Sequence, residues 1–130
     1  MQALVRSAIL RWSTKLTNED DMYLGNFNNR EDLMSSFEIT DADLEGVRIL
    51  FAAYENESYE GYAMVIFSKD GKLYEVNGSH CSCNGLEGQW SPEETSLDAL
   101  KLRNYSYGNL QYDLEKFLID FVFEEDILKN

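Results

Sequence analysis

The chain has 130 residues, of which 44% are hydrophobic and 13% aromatic, which suffices for one modest core. No Pro-, Gly- or Ser-rich stretch divides it, so we expect a single domain over residues 1–130. With 24 acidic and 11 basic residues the formal net charge is −13. Such a surface repels phosphates, which argues against direct binding of nucleic acid.

The chain shows no sign of secretion or of membrane insertion. Its opening, MQALVRSAILRW, contains a charged residue and lacks the cleavage pattern of a signal peptide. No apolar run approaches the roughly 20 residues that a membrane span needs. Its two cysteines, separated by one residue, are too close to close a structural disulfide. We therefore expect a cytoplasmic protein with free thiols.

The first third of the chain predicts a long helix, a loop and a short helix. Apolar residues recur every four positions near the N-terminus, at Leu4, Ala8, Trp12 and Leu16. This spacing predicts an amphipathic helix over residues 2–16. Residues 17–29 are rich in turn formers and predict a loop. The following NREDLMSSF, which starts at Asn29 and has two early acids, predicts one or two helical turns.

The middle of the chain predicts three strands. Short segments rich in β-branched and aromatic residues begin at Val47, Gly61 and Lys72. Between the second and the third, Asp70 and Gly71 form the pair that a two-residue hairpin turn prefers. The three strands therefore predict an antiparallel meander. Both faces of its strands are apolar, so each face needs a cover.

The last third predicts two helices. Ser91 as N-cap, Pro92 at the first helical position and Glu94 three residues after the cap predict a helix over residues 92–103. Apolar residues then follow at steps of three and four, at Leu110, Leu114, Phe117, Leu118 and Phe121, and predict a final helix. The predicted fold is α+β, with a three-stranded antiparallel sheet packed against an N-terminal helix and two C-terminal helices.

The only histidine and both cysteines lie together after the third predicted strand, as His80, Cys81 and Cys83. They allow a zinc site, although zinc normally takes four ligands in two separated pairs, so Glu87 or a second subunit would have to contribute. They also allow thiol chemistry with His80 as the base, although neighbours on a strand point to opposite faces. The third interpretation is a packed connection that Trp90 anchors. No cofactor other than zinc is expected.

Residues 59–100 resemble a block shared by uncharacterised small proteins of bacteriophages and bacterial genomes. The shared elements are YEGY, DGKLYEV, HCSC, GLE and QWxPEET, which here fall on residues 59–62, 70–76, 80–83, 85–87 and 89–95. The resemblance covers about a third of the chain. It implies a phage or mobile-element origin and supplies no catalytic residue.

Charge then gives the main functional hypothesis. A strongly acidic surface attracts basic proteins, including those that hold DNA or RNA. The acidic residues expected to bind such a partner are Glu19, Asp20, Asp21, Asp41, Asp43, Glu45, Glu124, Glu125 and Asp126. The sequence therefore predicts a non-enzymatic, phage-encoded inhibitor of a basic host or defence protein, similar in size and charge to DNA mimics. The alternatives are a metal- or thiol-dependent regulator that uses His80, Cys81 and Cys83, and an ordinary acidic protein. The basic N-terminal helix and the acidic C-terminal region are expected to dock within one chain, and a homodimer through an uncovered apolar strand face is the alternative.

Overall fold

A computed structural model of the protein describes residues 22–57, 60–81, 85–105 and 108–121. These residues form five strands and three helices. In chain order the elements are β1 (Met22–Gly25), α1 (Arg30–Phe37), β2 (Arg48–Glu57), β3 (Glu60–Lys69), β4 (Lys72–His80), β5 (Glu93–Thr95), α2 (Leu97–Lys101) and α3 (Gly108–Asp120). The predicted helix over residues 2–16 lies outside the described residues.

The five strands form one mixed sheet whose spatial order is the order of the chain. β1 runs parallel to β2, while the three pairings from β2 to β5 are antiparallel. The predicted three-stranded antiparallel sheet is therefore wrong as a description of the whole sheet. The three predicted strands are present as its central members, and β1 and β5 extend it on either side.

The sequence predicts a loop where β1 lies, because its four residues are too few to show a period and turn formers surround them. In the structure Tyr23 packs on one side of the sheet, and Met22 and Leu24 pack on the other. The strand ends at Gly25, whose φ is +67° and where a Cβ would collide with the carbonyl oxygen of Tyr54. Only glycine combines that conformation with that close approach.

The central hairpin forms as the sequence predicts. Asp70 and Gly71 have φ values of 53° and 76°, the left-handed conformations that a tight hairpin turn needs at both central residues. In the neighbouring pairing the register shifts between Ile49 and Phe51. Leu50 is the extra residue of this β-bulge, so Leu50 and Phe51 both pack on the side of α3.

The predicted helix over residues 92–103 is wrong at its start. Glu93–Thr95 instead form β5, which pairs with Leu73–Glu75 of β4. The helix begins only at Leu97, and the hydroxyl of Ser96 accepts a hydrogen bond from the backbone N–H of Ala99 at 3.1 Å. Pairing with an open sheet edge therefore overrides the local capping pattern at Ser91, and a second cap downstream starts the helix.

The sheet separates two apolar clusters. On one face α1 and the loops around it cover a cluster of Phe27, Leu33, Phe37, Leu44, Ile49, Ala52, Tyr54, Ala63, Val65, Phe67, Val76 and Leu86. On the other face α2 and α3 cover a cluster of Leu50, Phe51, Ala53, Met64, Ile66, Leu73, Leu100, Leu110, Leu114, Phe117 and Phe121. The fold is therefore α+β with both faces of the sheet covered by helices.

Both α1 and α3 confirm their predictions. The side chain of Asn29 caps α1 and accepts a hydrogen bond from the N–H of Asp32 at 2.9 Å. In α3 the apolar stripe of Leu110, Leu114 and Phe117 is buried against the sheet. Among the described residues, no helix combines the length and the apolar character needed to cross a membrane.

Candidate functional site

The loop that follows β4 is fastened to that strand by a side-chain amide. Gln89 accepts a hydrogen bond from the N–H of Ser79 at 2.8 Å and donates one to the carbonyl oxygen of Ser79, also at 2.8 Å. Its amide nitrogen also donates to the carbonyl oxygen of Gly85 at 3.0 Å. The amide thus pairs with β4 where β5 does not reach, as a neighbouring strand would.

Trp90 anchors the same loop to the core, as the packed-connection interpretation expected. Its ring stacks on Phe67 of β3 at a centroid distance of 5.8 Å and meets the edge of Phe37 of α1 at 5.2 Å. Leu86 is buried in the same cluster. Trp90 therefore joins the loop to the sheet and to α1, whereas the sequence predicts that it packs beside the helix that follows.

His80 is held between two partners at the end of β4. Its Nδ1 lies 2.9 Å from the carbonyl oxygen of Cys81, and its Nε2 lies 2.6 Å from the hydroxyl of Tyr54. A carbonyl oxygen only accepts, so Nδ1 carries a proton and, in the neutral ring, Nε2 accepts a hydrogen bond from Tyr54. Both ring nitrogens are therefore engaged within the chain.

The surroundings of this pair fix its geometry. Gly61 is the register partner of His80, and a Cβ at Gly61 would collide with the imidazole ring.

Burial, followed by the charge of Glu87, raises the pKa of the Tyr54 phenol. Hydrogen bonds from backbone N–H groups, first that of Gly85, lower the pKa of the Glu87 carboxyl. Tyr54 thus stays a protonated donor beside an ionised carboxylate.

The structure tests the metal and thiol hypotheses only at His80 and Cys81. The thiol of Cys81 is free and exposed, while the ring of His80 packs against Tyr54. Cys83 lies outside the described residues. Within the described ranges no three His, Cys, Asp or Glu side chains form a group that could hold a metal ion. To bind His80, a metal would have to displace Tyr54 or the Cys81 carbonyl from the imidazole ring. Metal analysis together with thiol titration tests the metal and thiol hypotheses.

On the opposite face of the sheet lies a buried ion pair that the sequence did not predict. Glu75 of β4 is 3% exposed, and Arg103 binds it with two hydrogen bonds, from Nε at 2.9 Å and from a terminal nitrogen at 2.6 Å. Asn77 donates a third bond to the same carboxylate at 2.9 Å. Burial raises the pKa of Glu75, but these hydrogen bonds and the charge of Arg103 outweigh it and lower the pKa below its ordinary value.

Two tyrosines extend this network. The hydroxyls of Tyr62 and Tyr105 both donate to the side-chain oxygen of Asn77, at 3.0 and 2.8 Å. Burial raises the pKa of the Tyr105 phenol, as does Tyr62 beside it. Gln111 of α3 accepts from the backbone N–H of Tyr105 at 2.8 Å. The network thus joins three parts of the fold: the sheet, the segment that follows α2, and helix α3. Its donor and acceptor groups form hydrogen bonds with one another.

A dense acidic surface lies on the side of α1. Residues 31–46 carry six acidic side chains and no basic one, a net charge of −6. This acidic surface consists of Glu31, Asp32, Glu38, Asp41, Asp43 and Glu45, of which all but the half-buried Asp32 are exposed. The sequence analysis singled out Asp41, Asp43 and Glu45 and overlooked the others, because no residue pattern marks Glu38 as the left-handed cap (φ 57°) that ends α1 and turns the chain into the loop.

The individual acids differ in their local roles. Asp43 accepts a hydrogen bond from the N–H of Thr40 at 2.9 Å, and Asp32 accepts one from the N–H of Asn28 at 2.9 Å, so both carboxylates stabilise turns. Asp41 lies 3.7 Å from Arg30 in an exposed pair. The other predicted binding residues, Glu19, Asp20, Asp21, Glu124, Glu125 and Asp126, lie outside the described residues.

Comparison with protein-family models, with curated proteins and with solved structures gives no match for this chain. The resemblance over residues 59–100 therefore stays a prediction. Much of that block now has a structural role, since it supplies β3, the hairpin turn, β4 and the loop that Gln89 and Trp90 fasten. The acidic surface lies outside the block.

Proposed function

We propose that the protein is a non-enzymatic binding protein whose acidic surface engages a basic surface of another protein. The observation that carries the proposal is the density of exposed carboxylates over residues 31–46, a range that contains no basic residue and whose nearest ion-pair partner is Arg30 beside Asp41. α1 and its loop are packed on the sheet through Leu33, Phe37 and Leu44, so the carboxylates project from a rigid support. A rigid charged surface loses little entropy when it binds.

The physical basis is electrostatic attraction between complementary surfaces. Closely spaced charges of one sign produce a field that raises the association rate with a partner of opposite sign. Proteins that bind DNA or RNA display rows of Lys and Arg for the phosphates. A compact acidic surface competes for those rows, which is how a DNA mimic inhibits. The basic partner is therefore proposed to be a nucleic-acid-binding protein.

The biological setting of the proposal comes from the resemblance of residues 59–100 to phage and bacterial proteins. It supports a phage-encoded protein that acts in the cytoplasm of a host cell on a host or defence protein. The chain is small and has a net charge of −13, so it resembles DNA mimics in size and in the sign of its charge, and this support is by analogy.

The test uses the full chain, immobilised and exposed to a bacterial lysate at about 0.1 M and then about 1 M salt. We expect basic, nucleic-acid-binding proteins to be retained at low salt and released at high salt, because the screening length falls from about 10 Å to about 3 Å. Added duplex DNA should compete for the same partner. Recovery of no basic protein at either salt concentration would overturn the proposal.

A pair of matched variants assigns the binding to the acidic surface. The test variant neutralises the four exposed acids whose side chains accept none of these turn hydrogen bonds, by Glu31→Gln, Glu38→Gln, Asp41→Asn and Glu45→Gln. The control neutralises four exposed acids elsewhere, by Glu60→Gln, Asp70→Asn, Asp98→Asn and Asp120→Asn. We expect the test variant alone to lose the partner. Equal losses in both variants would show that total charge acts and that this surface does not.

A further inference from the structure

The pair Asn77 and Gly78 in β4 is open to a chemical modification. When glycine follows asparagine, its backbone nitrogen attacks the side-chain amide readily, because glycine has no side chain to hinder the approach. Attack on Cγ of Asn77 expels ammonia and closes a succinimide ring, which water then opens to aspartate or isoaspartate. Asn77 is exposed, so water reaches it. Burial therefore does not protect this asparagine, and any protection has to come from hydrogen bonding.

Packing explains why the second residue of the pair is glycine. A Cβ at position 78 would lie 3.0 Å from the side chain of Leu86, 3.2 Å from that of Gln89 and 3.5 Å from that of Phe37. The first two distances are tighter than ordinary van der Waals contact. The loop that Gln89 fastens to β4 therefore leaves no room for a larger residue, and the fold retains the reactive pair.

The attacking nitrogen is held by the sheet. The backbone groups of Ser79 face the loop, where they bind the amide of Gln89. Successive residues of a strand direct their N–H and C=O groups to opposite sides. Those of Gly78 therefore face β3, where its register partner is Ala63. A nitrogen whose proton is bound in the ladder is a poor nucleophile, because it must release that proton to attack.

The amide of Asn77 is held as well. Its nitrogen donates to Glu75 at 2.9 Å, and its oxygen accepts from the hydroxyls of Tyr62 and Tyr105 at 3.0 and 2.8 Å. Partners on the same strand, on β3 and after α2 thus restrain the side chain from three directions. Ring closure has to rotate this side chain, so these hydrogen bonds must break first.

We propose that Asn77 is a deamidation site that opens and closes with β4. It stays an asparagine while its hydrogen bonds are formed, and it is converted when the C-terminal half of the strand opens. Isoaspartate adds a methylene group to the backbone and disturbs the register with β3, while aspartate places a second carboxylate beside Glu75. Both products hinder the strand from closing again. This inference does not depend on the proposed function.

The test incubates the full chain at mildly alkaline pH, folded and in urea. Tandem mass spectrometry distinguishes Asn77 from the asparagine of the other Asn-Gly pair, Asn84. The test variants are Tyr62→Phe and Tyr105→Phe, each of which removes one hydrogen bond to Asn77. The matched control is Tyr112→Phe, on an exposed tyrosine of α3. Hydrogen exchange of the Gly78 amide measures the opening of β4 in the same samples.

We expect Asn77 to be converted in urea, and far more slowly in the folded wild type and in Tyr112→Phe. Each test variant should convert it about fivefold faster than the wild type, because losing one hydrogen bond raises the open population by about that factor. Exchange at Gly78 should rise in parallel. Equal conversion in the folded and the urea-unfolded wild type, or none in urea, would overturn the proposal. Faster exchange at Gly78 without faster conversion would also overturn it.

The substitution Asn77→Asp tests the consequence of conversion independently. It installs one product of the reaction, and we expect it to lower the urea midpoint of unfolding and to speed exchange at Gly78. An unchanged midpoint and unchanged exchange would show that the converted strand closes normally, which contradicts the proposal.

Discussion

Replacing Arg103 with methionine tests the role of the buried ion pair. Methionine keeps most of the length of the side chain and removes its charge and both hydrogen bonds to Glu75. Glu75 is 3% exposed, and Arg103 is 38% exposed through its side chain. The substitution therefore leaves a carboxylate inside the protein, to which Asn77 still donates a hydrogen bond.

The expected cost follows from this geometry. Removing one partner of a buried pair costs about 3–5 kcal/mol. Because Arg103 is partly solvated and Asn77 still donates, we expect the lower end, about 3 kcal/mol. With a urea dependence of about 2 kcal/mol per molar, the unfolding midpoint falls by about 1.5 M. A domain with a stability of about 5–15 kcal/mol remains folded after this loss.

The pH dependence separates this explanation from lost packing. In the wild type the pKa of Glu75 is lowered, so its stabilising contribution is present above the ordinary carboxyl pKa and is lost as the pH falls through the lowered value. In Arg103→Met burial remains and raises that pKa, so the variant gains stability as the carboxyl becomes protonated. The deficit should be largest near about pH 7 and shrink towards about pH 4.

Urea unfolding followed by circular dichroism at several pH values measures the deficit. The double variant Glu75→Gln with Arg103→Met removes both charges, and we expect it to recover most of the lost stability at neutral pH. A loss below about 1 kcal/mol at neutral pH, or a deficit that does not change with pH, would refute the reasoning that an ionised Glu75 depends on Arg103.

Three further substitutions test the contacts of Ser79 and His80 at the C-terminal end of β4. Each effect on stability is measured by urea unfolding. Gly61→Ala places a Cβ against the ring of His80 and should cost about 1–3 kcal/mol; an unchanged stability would contradict the close packing. Tyr54→Phe leaves His80 without its donor and should cost about 1 kcal/mol, and an increase in stability would argue against the bond. Gln89→Ala should cost about 1–3 kcal/mol and speed amide exchange at Ser79, whereas unchanged exchange would reject the strand-like pairing.

The sequence predicts the parts of the fold that local chemistry decides. The Asp70–Gly71 turn, the cap at Asn29 and the apolar stripe of α3 each leave a pattern over a few neighbouring residues. β1 and β5 leave no such pattern, because both are short and form only by pairing with a strand that the rest of the chain has placed. At Ser91 and Pro92 the local pattern even points to the wrong structure.

The same distinction applies to the candidate sites. His80 was singled out from the sequence as chemically unusual, but its partner Tyr54 comes from another strand, 26 residues away. Glu75 and Arg103 are 28 residues apart, and one lies in a strand that reads as apolar while the other follows a helix. No spacing rule connects such pairs. A charged residue in the middle of a predicted buried strand was the one available signal, since a buried carboxylate needs a cationic partner.

The order of the strands also determines how the protein assembles and where it opens first. β3 pairs with β2 and β4 pairs with β3 across short connections, so these contacts are local and favour rapid folding. β1 instead pairs with β2 across an intervening segment, residues 26–47, and it has only four residues in register. We therefore expect β1 to join the sheet last. Its amides should exchange through local openings, while those of β3, paired along its length on both sides, exchange only when the whole domain unfolds.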